Sequence, residues 1–205
     1  MGEKEPNIHV VGISGSLRAG SYTRRAVECA LQGAAESGAQ TQFLDLSDYH
    51  LVFRVSKEDT GYPDDVFRLR REVKQADGVI LGTPEYHGSF SGVLKNALDL
   101  MGFDEFEGKM IGLVGVSGGR MGAFDAMNSL RNIGRALHAW VIPEQASVPE
   151  AWKIFTDDGK IGDPQLEERL KEVGRQVTRF ARLHKCENAL DFVRSWQKAQ
   201  ANPGA

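Results

Sequence analysis

Residues able to do chemistry concentrate near the start of the chain, in Ser14-Gly15-Ser16-Leu17-Arg18-Ala19-Gly20-Ser21-Tyr22-Thr23. Ser14, Ser16, Ser21 and Thr23 carry short hydroxyl donors, and Arg18 carries a forked, permanently charged one. The glycines let the backbone turn and present several N–H groups to one point. An apolar β-type run, residues 8–13, precedes the stretch and an amphipathic helical pattern follows it. The helix therefore aims its positive end at the same point. A phosphate monoester uses all of these donors together. The plainer reading is a serine-rich strand-to-helix turn with a cap. The stretch lacks G-x-x-x-x-G-K-[ST] and does not fit G-x-G-x-x-G after the strand. The ligand it points to is a mononucleotide, not a dinucleotide or a Walker-type nucleotide.

The elements that must position this stretch alternate along the chain. Strands are predicted over residues 7–13, 41–46, 78–84, 109–117 and 138–143. Helices are predicted over 23–37, from Pro63-Asp64-Asp65 onward, over 93–101 and 124–137, and from Asp163-Pro164 onward. Helical spacing places Val66, Leu69, Val73 and Ala76 on one buried stripe, Phe124, Met127, Leu130 and Leu137 on another, and Leu166, Leu170, Val173, Val177 and Phe180 on a third. Residues 47–62 show no period. Asp158-Gly159 reads as a turn, since the acids around it lack the spacing and closing glutamate of a calcium loop. Residues 186–200 read as a further amphipathic helix with Leu190, Val193 and Trp196 on one side, and the tail after it as frayed. Five strand–helix alternations specify an α/β fold, a doubly wound five-stranded parallel sheet with helices on both faces. The expected domains are 1–186 for that fold and 187–205 for a helical appendage. Ligands of such sheets bind at the carboxyl ends of the strands, where the order reverses. The first, third and fourth strands all end in small-residue loops, the later two being residues 85–92 and 117–122.

Composition narrows the class. A chain of 205 residues, 41% hydrophobic and 26% charged, suits one soluble domain. A net charge of −3 without a basic, aromatic-laced stripe argues against nucleic acid. Cys29 and Cys186 form no C-x-x-C pair, so neither a disulfide framework nor a zinc site is expected. Residues 1–6 carry no apolar signal region and no run reaches a membrane span, so the cytoplasm is the expected location.

Several stretches now resemble one family. Gly15-Ser16-Leu17-Arg18-Ala19-Gly20-Ser21 resembles the phosphate loop of the NADPH-dependent FMN reductase family of flavodoxin-like proteins. Thr83-Pro84-Glu85-Tyr86-His87-Gly88-Ser89 is similar to its second flavin loop, and residues 92–99 to the helix that follows. Ser117-Gly118-Gly119-Arg120-Met121-Gly122 is similar to its third. The resemblance spans residues 7–149 with the motifs in family order. It departs where the family often has asparagine and this chain has Thr23 and His87. It implies the flavodoxin-like strand order 2-1-3-4-5. It implies that Ser16, Arg18, Ser21, Tyr22 and Thr23 hold the phosphate of FMN and its approach. Pro84, Glu85, Tyr86, His87 and Gly88 are implied to line the ribityl chain and one edge of the ring, and Ser117, Gly118, Gly119 and Gly122 its pyrimidine edge.

The implied activity is oxidoreduction. NADPH or NADH gives hydride to FMN, and a quinone, free flavin or similar small acceptor takes it in a ping-pong cycle. No protein acid, base or metal is required, since the cofactor carries the reaction. A homodimer or homotetramer is implied, with Leu190, Trp196 and residues 47–62 as contact surfaces. Plainer readings stand beside these roles: Glu85 as a loop carboxylate, Tyr86 as packing or a subunit contact, and His87 as a solvated turn residue. Arg120 is either a contact to the extra phosphate of NADPH or a solvent-facing arginine. Lys95 and Asp99, at i and i+4, read as an ion pair. Two other classes compete. A flavodoxin-type electron carrier is disfavoured by the modest charge. For a flavin-free scaffold, the phospho-receiver version fails because Thr83-Pro84 stands where an acceptor aspartate is needed.

Overall fold

Alternate residues of each apolar run face opposite layers, and both layers are buried. Val10 packs into one core, and Val11 and Ile13 into the other; all three are fully buried. The computed structural model describes residues 6–55, 61–156 and 158–185. Strands β1 (His9–Ser14), β2 (Gln40–Asp45), β3 (Gly78–Pro84), β4 (Met110–Val116) and β5 (Trp140–Val148) form one parallel sheet in the order β2-β1-β3-β4-β5. This is the doubly wound α/β order expected, with the reversal between β1 and β3.

Helices α1 (Tyr22–Glu36) and α7 (Pro164–Lys185) cover one face. Helices α2 (Asp64–Gln75), α3 (Gly92–Asp99) and α5 (Phe124–Ala136) cover the other, with Phe106 of the short α4 (Phe103–Phe106). Helices α1, α3 and α7 start where a side chain satisfies free N–H groups. Ser21 Oγ accepts from Arg24 N–H at 3.3 Å, Ser91 Oγ from Leu94 N–H at 3.2 Å, and Asp163 Oδ1 from the N–H groups of Gln165 and Leu166. Where α1 crosses α7 the backbones touch. A Cβ added to Gly174 would lie 1.8 Å from Ala30 O, and one added to Gly33 would lie 2.0 Å from Lys171 O.

The structure moves some boundaries. β5 does not stop at residue 143 but runs to Val148. Pro143 is tolerated because β5 is an edge strand, and the ladder slips beside it, from Ile111↔Val141 to Leu113↔Gln145. Phe124, expected inward, is exposed at the first residue of α5, and Leu137 is only half-buried. Helices α4 and α6 (Ala151–Ile154) are too short to show a period. The Asp158-Gly159 turn is present, with Gly159 at φ +85° and Phe155 bridged to Ile161. Lys95 and Asp99 pair at 2.7 Å. The expected helix over 186–200 lies outside the described residues.

Candidate functional site

The loop after β1 is held from below. Gly15 N–H donates to Gly82 O of β3 at 2.8 Å, and Ser91 Oγ donates to Gly15 O at 2.6 Å. Gly15 has no room for a side chain, because a Cβ there would meet Ser91 Oγ at 2.7 Å and Leu94 Cβ at 2.8 Å. Ser91 N–H in turn donates to Thr83 Oγ1, which donates to Pro84 O. The first loop, the end of β3 and the start of α3 are thus one hydrogen-bonded unit. Arg18 to Ser21 form a turn closed by Ser21 N–H to Arg18 O at 3.2 Å, with Gly20 at φ +70° in the position that favours glycine. Ser21 both lines the site and caps α1.

The loop after β3 is a tight hairpin. Tyr86 and Ser89 exchange backbone hydrogen bonds of 2.9 and 3.1 Å around His87 (φ +54°) and Gly88 (φ +72°). Positive φ at both central residues is the requirement of a type I′ turn. His87 is therefore the exposed tip of a turn, and Tyr86 stands at its base with Arg18 Cζ 5.6 Å from its ring. Glu85 Oε2 accepts from Ala126 N–H at 3.0 Å, in the first turn of α5. Its charge sits on that helix's positive end. After β4, Ser117 N–H donates to Val148 O, and Ser117 Oγ accepts from Gly119 N–H at 3.0 Å.

These loops enclose a cleft of about 460 Å³ at the carboxyl edge of the sheet. Of the residues implied from sequence, Ser16, Arg18, Ser21, Tyr22, Thr23, Pro84, Glu85, Tyr86, Ser117 and Gly118 line it. His87, Gly88, Gly119 and Gly122 do not. The first two form the turn tip, Gly119 sits just past the lining, and Gly122 packs on Ser147 of β5 beside a second hollow. Ala151 and Trp152 also line the cleft and were not foreseen. Their signal was Val148-Pro149, a strand end like Thr83-Pro84, hidden because Pro143 suggested that β5 had already ended.

The donor set fits the phosphate end of a mononucleotide. Hydroxyls of Ser16, Ser21 and Thr23 and the guanidinium of Arg18 face one cleft, and α1 has no acidic residue in its first turn to neutralise its positive end. Glu85 is the only carboxylate among the lining residues, and it is already bonded. Among the described residues no carboxylate pairs with Arg18. The volume is within the roughly 300–1,000 Å³ of small-ligand sites. Gly118 faces open space, so a flat ring can approach its backbone.

Comparison with known proteins agrees with this geometry. Residues 8–153 match the family described as NADPH-dependent FMN reductase. The chain is 32% identical to the NADPH-dependent FMN reductase ArsH of Shigella flexneri, over 87% of this chain and 70% of that one. It is also 32% identical to an FMN-dependent NADPH-azoreductase of Staphylococcus saprophyticus, over 72% of this chain and 80% of that one. Among solved structures, the flavoenzyme NAD(P)H:(acceptor) oxidoreductase FerB of Paracoccus denitrificans superposes with a TM-score of 0.67 at 25% identity, covering 86% of this chain and 98% of that one. With the sheet order, the three loops and the matched residues in agreement, the chain belongs to the NADPH-dependent FMN reductase family.

Proposed function

We propose that the chain is an FMN-dependent oxidoreductase that passes hydride from NAD(P)H to small acceptors such as quinones, free flavin or azo compounds. One observation carries the reading: a phosphate-type donor set (Ser16, Arg18, Ser21, Thr23) opens into the same cleft as the backbones of Pro84–Tyr86 and Ser117–Gly118. Ser16, Ser21, Thr23 and Arg18 would hold the phosphate of FMN, and the two later loops would flank its ring. Bound FMN supplies two-electron chemistry, taking hydride from a nicotinamide and giving it to an acceptor. The chain's part is placement. Close alignment of reacting atoms is worth several orders of magnitude. Glu85 instead fixes α5 against the second loop through Ala126 N–H.

A single cleft serves both substrates in turn, so the cycle is ping-pong. Its test is a steady-state matrix of NAD(P)H against a quinone. Parallel double-reciprocal lines are expected; lines that intersect would contradict alternate use of the cleft. An electron carrier would show no NAD(P)H turnover at all. The proposal includes a cytoplasmic location and a homodimer or homotetramer, the assembly supported by Phe53 and Val55, which are 78% and 84% exposed in the aperiodic segment. Sedimentation at micromolar concentration reads the subunit number directly.

A further inference from the structure

A second hollow, of about 300 Å³, lies across the same two segments that wall the cleft. Ser117 and Gly118 face the cleft, while Arg120 and Met121 face the hollow. Ala151 and Trp152 face the cleft, while Pro149 and Ile154 face the hollow. The partition between them is stiff. Glu150 N–H donates to Gly119 O at 3.1 Å and Ala151 N–H to Ser117 O at 3.0 Å. Ser147 Oγ accepts from Ala123 N–H at 2.9 Å, which fastens the end of the loop to β5.

The lining combines apolar surface with cationic ends. Met121 and Phe124 are 85% and 53% exposed and give the hollow apolar surface. Arg169 and Arg120 stand in the same hollow. Arg169 has no carboxylate partner among the described residues. Arg120 has one neighbour, Glu150 Oε1 at 3.8 Å, and that oxygen is taken by Lys153 Nζ at 2.7 Å. The hollow's own carboxylate, Asp163, accepts the N–H groups of Gln165 and Leu166, so its charge is spent on the start of α7. What remains is an aromatic-sized apolar floor with two guanidinium groups able to grip a phosphate by paired hydrogen bonds.

We infer that this hollow seats the adenosine 2′-phosphate end of NADPH, and that Arg169 and Arg120 set a preference for NADPH over NADH. The inference rests on the proposed use of the cleft by the nicotinamide end, and adds the residues that read the other end. NADH presents the same adenosine without the phosphate, so only NADPH gains from the arginines.

The test uses the FMN-loaded full chain, wild type and Arg169→Ala and Arg120→Ala variants. Titration with 2′,5′-ADP and with 5′-ADP reads the subsite without turnover. Wild type should bind 2′,5′-ADP more tightly, and each variant should lose about tenfold of that preference, the size of one charge-assisted contact. In steady state the KM for NADPH should rise by a similar factor while the KM for NADH stays put. Equal affinity of wild type for the two nucleotides, or a variant that shifts both nicotinamides alike, overturns the inference. FMN affinity of the wild type, measured beforehand, reports separately on the cleft: its absence would overturn the proposed function, not the arginine assignment alone.

Discussion

At the scale of single residues, the site is a set of small groups held by larger ones. Gly15 is where it is because Ser91 and Leu94 leave no space for a Cβ, and Ser21 is both a cleft residue and the cap of α1. Arg18 is the exposed member, resting against Tyr86. Replacing it by alanine removes a forked cation but no core packing. Arg18→Ala should therefore weaken FMN binding by about tenfold or more while leaving the thermal midpoint of the FMN-free chain unchanged; fluorescence titration and a melting curve separate the two. Hydroxyls and an arginine around glycine were readable because phosphate recognition needs those types close together in sequence. The duty of Glu85 was not. Its partner, Ala126 N–H, is distant along the chain and carries no side-chain signature. Cys29 is partly buried, and burial pushes its thiol up to about 11.

At the scale of elements, periodicity identified the long helices and the doubly buried strands, since those signals repeat over many residues. It missed α4 and α6, and it misread β5, where a proline in an edge strand looked like an end. The helix crossing was also silent in the sequence. Gly33 and Gly174 look like weak points in α1 and α7, yet they let the two backbones touch. In a helix interior Gly→Ala normally gains about 1 kcal/mol. At Gly174 the new methyl would sit 1.8 Å from a backbone oxygen, and overpacking of that kind costs about 1–3 kcal/mol or more. The overlap wins, so Gly174→Ala should lower the urea midpoint with the slope unchanged. A stabilised variant would mean that α1 and α7 are further apart.

At the scale of the whole molecule, alternation of strands and helices specified a doubly wound parallel sheet and the family resemblance implied its order; the structure has both, with the cleft on the carboxyl rim where the order reverses. The opposite end of α7 carries a pH response. His184 Nε2 is buried with no hydrogen-bond partner among the described residues, its ring lies 5.7 Å from that of Trp140, and burial holds its pKa below the ordinary value. The unfolded chain, near 6.5 at this residue, therefore binds the proton more readily than the folded one. Stability should fall as pH drops from about 6.5 toward the folded value and level off below it. His184→Gln should remove that part of the slope between pH 7.5 and 5; an identical slope in the variant would show that His184 is hydrated in the folded chain.

The fold, the cleft and the proposed chemistry meet in the first loop's grip on a phosphate. Riboflavin differs from FMN by that group alone, so paired titrations of the flavin-free chain isolate it. With Arg18, the hydroxyls and the start of α1 all engaged, FMN should bind about a hundredfold more tightly than riboflavin, or better, the equivalent of two charge-assisted contacts. Equal affinities for the two flavins would mean that the first loop does not hold the phosphate.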